Sequence, residues 1–207
     1  LNRQPDILAE RAYAPWIDME TQLREHNLPL FSLESKTPLS EFDILGITLP
    51  YEQIYTNVLN ILDLAGVPLL SNQRSVTDPL IIAGGQACYN PEPMADFIDA
   101  FAIGEGEEVI LEITHVYQAW KRAAAAREDL LSALAKVPGV YVPSLYTVSY
   151  NPDGTFQAVT PHSKHAKSPV VKRILPKLPE PLTHFIVPNV QTVHDRLSVE
   201  IMRGCTR

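Results

Sequence analysis

Short, nearly unbroken apolar runs alternate with longer stretches in which apolar residues return every three or four positions, and this holds up to about residue 126. The short runs predict strands over residues 7–13, 42–49, 80–83 and 100–103. Two of them, Phe42-Asp43-Ile44-Leu45-Gly46-Ile47-Thr48-Leu49 and Leu80-Ile81-Ile82-Ala83, are apolar enough to predict central strands buried on both faces. The longer stretches predict helices. Over 51–65, Tyr55, Val58, Leu59 and Leu62 fall at i, i+3, i+4 and i+7, and Gly66 supplies a stop. Residues 16–26 follow Pro15, a favourable first-turn residue, and end at Asn27 before Pro29. A third helix starts near Glu105, buries Val109, Ile110, Ile113, Tyr117 and Trp120, and runs into an alanine-rich tract; residues 128–136 predict a short further one. Such alternation predicts an α/β domain in which helices cover a parallel sheet.

The pattern changes after Pro138. Residues 140–150 and 155–160 alternate like strands around Asn151-Pro152-Asp153-Gly154, which predicts a hairpin. From Pro161 to Pro188 prolines and basic side chains dominate, the composition of an extended connector, and 196–202 predict one more strand. The expected organisation is 1–127 as an α/β domain, 128–192 as helix, hairpin and connector, and 193–207 as the start of a further domain. Residues 1–4 read as the tail of a helix whose preceding strand is absent. In a doubly wound sheet of order 2-1-3-4-5 that first strand is central. The expected fold class is therefore a Rossmann-like (flavodoxin-like) parallel sheet lacking its first strand.

Composition narrows the function classes. With 207 residues, 45% of them hydrophobic, the chain suffices for one domain and a smaller appended unit. It begins with Leu1 and shows no signal pattern or spanning apolar run, which predicts an excised boundary, a cytoplasmic setting and no membrane partner. Twenty-four acidic against 17 basic residues, a net charge of −7, argue against a nucleic-acid partner. Two cysteines, Cys88 and Cys205, make no disulfide framework and read as thiols. The six histidines form no H-E-x-x-H and stand near no cysteine pair. There is no G-x-S-x-G and no Walker sequence, and Gly104-Glu105-Gly106 lacks the third glycine of a dinucleotide fingerprint, so hydrolase, kinase and dehydrogenase readings lose support.

Two segments carry candidate chemistry. The first is Ala83-Gly84-Gly85-Gln86-Ala87-Cys88, followed by Ile103-Gly104-Glu105-Gly106-Glu107-Glu108. Glycines after strands let a backbone approach a flat ligand, and open α/β sheets bind ligands at the carboxyl ends of their strands. On that reading Thr48, Leu49, Pro50, Tyr51, Gly84, Gly85, Gln86, Gly104, Glu105 and Gly106 converge on one ligand site. The plainer readings are tight turns for the glycines, favourable meeting of the glutamates with a helix dipole, and a buried inert thiol for Cys88. The second segment is Val193 to Arg207, where an apolar run leads through Arg203-Gly204 to Cys205.

The second segment resembles the start of the catalytic barrel of radical S-adenosylmethionine enzymes, at the first cysteine of C-x-x-x-C-x-x-C, and the first resembles the cobalamin-binding domain in front of many of them. The resemblance implies a [4Fe-4S] cluster with Cys205 among its ligands, S-adenosylmethionine at the open iron, and cobalamin on the front domain. It also implies that the downstream barrel and an electron donor are partners. One cysteine holds no cluster, so the chain is expected to be the N-terminal part of such an enzyme and not catalytic alone. The D-x-H-x-x-G motif of many cobalamin domains is absent. Two other readings compete: a degenerate Rossmann-like module for docking or partner recognition, and a methylthiotransferase-like enzyme, against which the single front-domain cysteine speaks.

Overall fold

A computed structural model describes residues 1–180 and 199–204. The chain divides into two units, Leu1–Arg173 and Ile174–Arg207. The first contains helix α1 (Ile17–Glu25), strand β1 (Ile44–Thr48), α2 (Tyr55–Leu64), β2 (Leu80–Gly84), β3 (Ala100–Ala102), α3 (Gly106–Ala123), α4 (Arg127–Leu134), β4 (Val140–Tyr141), β5 (Tyr146–Tyr150) and β6 (Phe156–Pro161). Strands β1 to β4 form one sheet in chain order, the first three parallel and β4 antiparallel to β3. This is the expected α/β, Rossmann-like class.

Strand alternation divides the core. Ile81 and Ala83 point to one face, among Leu49, Val58, Leu62, Ile98 and Phe101, while Leu80 and Ile82 point to the other, among Val109, Ile113, Tyr117, Leu130 and Leu134. Each fully buried side chain of this size contributes about 1.5–3 kcal/mol. Helix α3 is set by its sequence at both ends. Glu107 and Glu108 occupy the first turn, Lys121 and Arg122 the last, and Ala124 ends it in the left-handed region at φ +48°.

A buried charge cluster ties the amino ends of β2 and β3 to the preceding loop. One Asp99 oxygen accepts from the Ile81 amide at 2.7 Å and pairs with Arg74 at 3.1 Å and Arg127 at 3.0 Å, all three residues being buried. Arg74 also donates to the carbonyls of Pro68, Leu69 and Phe97, and Arg127 to those of Ser75, Asp78 and Pro79. Arg127 thus sits in the core, α4 packs Leu130 and Leu134 against the sheet, and β4 joins it as a strand.

Several expectations are corrected. Residues 7–13 form no strand: their backbone groups go instead to Asn2, Glu34 and Leu33, through Ala9 N–H to the Asn2 side chain, Arg11 N–H to Glu34, and the Arg11 carbonyl accepting from Leu33. Strand β1 is an edge, not a central strand, and its residues are partly exposed, because among the described residues no strand pairs with its outer side. Residues 140–150 are two strands rather than one. A turn at Pro143–Leu145 separates β4, in the main sheet, from β5, which pairs with β6 as the expected hairpin. Of the strand expected over 196–202, residues 199–202 are irregular and 196–198 lie outside the described residues. Within the second unit Arg203 pairs with Glu200 at 2.9 Å. Among the described residues no helix is long and apolar enough to cross a membrane.

Candidate functional site

β1, β2 and β3 run parallel, so the segments that follow them share one rim. Thr48 to Tyr51, Gly84 to Gln86 and Gly104 to Gly106 are therefore brought to the carboxyl edge of the sheet, as expected for a ligand site of this fold. What approaches the glycines is the chain's own backbone. Gly85 adopts φ +118°, and a Cβ there would lie 2.5 Å from the Leu49 carbonyl oxygen. The Leu49 amide donates to Gly84 at 2.7 Å and its carbonyl accepts from Ala87 at 3.0 Å, which holds the two loops together.

The same happens over β3. Gly104 adopts φ +103°, and a Cβ there would stand 2.3 Å from the Arg173 carbonyl oxygen. The Arg173 amide donates to Ile103 at 2.8 Å, the Glu105 amide donates to Arg173 at 3.1 Å, and Gly104 and Arg173 form a parallel bridge. The Arg173 guanidinium pairs with Glu108 at 3.0 Å and Glu112 at 2.7 Å on α3. Thr48, Pro50, Tyr51, Gln86 and Gly106 are exposed, and Glu105 is the residue before α3.

Below this rim a cavity of about 450 Å³ is lined by Cys88, Glu92, Ile103, Tyr141, Tyr146 and Lys167, among others. Tyr141 donates to Glu92, and its ring lies 4.6 Å from that of Tyr146. Burial, then the hydrogen bond to Glu92, raise the Tyr141 phenol far above its ordinary range, so it stays a neutral donor. Sequence reading missed these tyrosines; the only signal was their place in Val140-Tyr141-Val142-Pro143 and just after it. Cys88 is fully buried, and burial pushes its thiol up to about 11. It is a packing residue whose thiol stays protonated at neutral pH. Among the described residues no group of three or more His, Cys, Asp or Glu side chains stands ready for a metal ion, and Cys205 lies outside those residues.

A family model described as "Radical SAM proteins, N-terminal" matches residues 1–143, which include the whole four-stranded sheet. The chain belongs to this family. An uncharacterized protein of Methanocaldococcus jannaschii is 31% identical over 97 residues, which cover 45% of this chain and 20% of that protein. The match therefore spans about a fifth of this curated relative's length. No solved structure matches.

For a radical SAM N-terminal domain, the cobalamin expectation meets a specific obstacle. Backbone from Leu49 and Arg173 occupies the close approaches over Gly85 and Gly104. The 450 Å³ cavity beneath is smaller than a corrin ring with its nucleotide tail. Among the described residues, Gly85 and Gly104 form no open cradle for that cofactor.

Proposed function

We propose that this chain is the front part of a radical S-adenosylmethionine iron-sulfur enzyme, and that its sheet derives from a cobalamin-binding domain whose ligand rim is closed by the chain itself. The observation that supports the reading is the family match over residues 1–143 coinciding with a parallel sheet. In the whole protein Cys205 is one of the cluster thiolates, with further cysteines supplied by the downstream barrel, and an electron donor is the expected partner. When bound, the cluster supplies the electron that cleaves S-adenosylmethionine.

The front domain's own residues have a positioning role. Arg173 is fastened to Ile103, Glu105, Glu108 and Glu112, so the connector leaves the sheet from a fixed point on its rim. Anaerobic reconstitution with iron and sulfide tests the enzyme assignment. The full-length protein is expected to take up an oxygen-sensitive cluster that Cys205→Ala abolishes, and the 207-residue chain to take up none. A cluster retained by the full-length Cys205→Ala protein contradicts the reading.

A further inference from the structure

Among the described residues strand β1 has a partner on one side only. The Asp43 carbonyl accepts from Leu80 at 3.0 Å and the Leu49 amide donates to Gly84 at 2.7 Å, so residues 43, 45, 47 and 49 turn their backbone groups toward β2. Alternation then turns those of Ile44, Gly46 and Thr48 to the outer edge, where Gly46 and Thr48 are exposed. Along this edge lies a cavity of about 700 Å³. Its walls include Val58 and Ile61 of α2, and Ile110 and Tyr117 of α3; residues 6–12 also line it. Helices that cover the two faces of the sheet thus both reach beyond its last strand.

The winding of the sheet says which strand belongs there. β1, β2 and β3 step away from the slot in chain order, while residues 7–12, earlier in the chain, line the slot as well. A doubly wound sheet starts in the middle and winds outward both ways, so the strand at the reversal precedes both flanks in sequence. Leu1 and Asp6 also line the slot.

We propose that the slot between β1 and residues 7–12 is the berth of one further parallel strand, supplied by the polypeptide on the N-terminal side of Leu1 in the longer protein. This rests on reading the chain as part of a longer protein. The curated relative extends well beyond the 97 matched residues. The berth selects an unbroken apolar run about as long as β1, because helical side chains face it from both sides. Its outer edge offers residues 7–12 the ladder partner they lack, and an exposed apolar edge is closed against pairing between molecules.

Hydrogen exchange read at residue resolution tests this on three proteins: the 207-residue chain, the full-length protein, and the full-length protein trimmed only to begin at Leu1. Expected are fast exchange at Gly46 and Thr48 in the first and third, and exchange slowed by about 100-fold or more in the second. Equal rates in the full-length and trimmed proteins overturn the proposal, since slow exchange without the N-terminal segment means that the barrel or a second copy covers the edge. Should the trimmed protein fail to fold, fast exchange at Gly46 and Thr48 in the full-length protein overturns it. A failed cluster reconstitution leaves this result untouched, because exchange reads only the sheet.

Discussion

Gly85 shows why a glycine motif is ambiguous at the residue scale. The sequence signals a backbone that must turn through positive φ and be approached closely, but not what approaches it; here it is the Leu49 peptide. Gly85→Ala is accordingly expected to destabilise the fold by on the order of 2–4 kcal/mol, through strain at φ +118° and collision with Leu49, with no ligand present. Urea unfolding of the 207-residue chain measures it, and an unchanged midpoint contradicts the packing described. Cys88 gives a second expectation. Its folded pKa of about 11 lies above that of an unfolded thiol, so the unfolded state loses its proton first. Stability due to Cys88 is full below about pH 8.5 and falls as pH rises toward 11, by up to about 1.4 kcal/mol per pH unit. Cys88→Ala removes that slope; a slope that persists unchanged assigns it elsewhere, Tyr117, pushed up to about 12, being the next candidate.

Elements whose signal is local were legible in the sequence. The i, i+3, i+4 spacing placed α2 and α3, and the apolar run 80–83 placed β2, because these patterns depend only on the element's own faces. Whether a strand is central depends on its neighbours, which no local pattern reports. Residues 44–48 carry the apolarity of an inner strand yet form an edge, and residues 7–13 carry strand composition yet have no ladder. Proline and basic residues predicted an extended connector, and composition alone did not report that Arg173 within it is held by a bridge to Gly104, just after β3, and by two glutamates. Gly104→Ala, which places a Cβ against the Arg173 backbone, is expected to free this staple and speed exchange at the Glu105 and Arg173 amides by about 10-fold or more. Unaltered exchange at both contradicts a staple at this point.

For the whole molecule, the match over residues 1–143 places the chain in the family of radical SAM N-terminal domains, and the parallel sheet lies within the matched residues. At Gly85 and Gly104 the rim where such a sheet offers its ligand site is covered by two of the chain's own segments, and we propose that architecture and cofactor separate here. Hydroxocobalamin titration of the full-length, folded and cluster-loaded protein, followed by visible absorbance and calorimetry, tests that separation most directly. No saturable binding is predicted; stoichiometric, saturable binding lost on altering the rim at Gly84 to Gln86 contradicts the account.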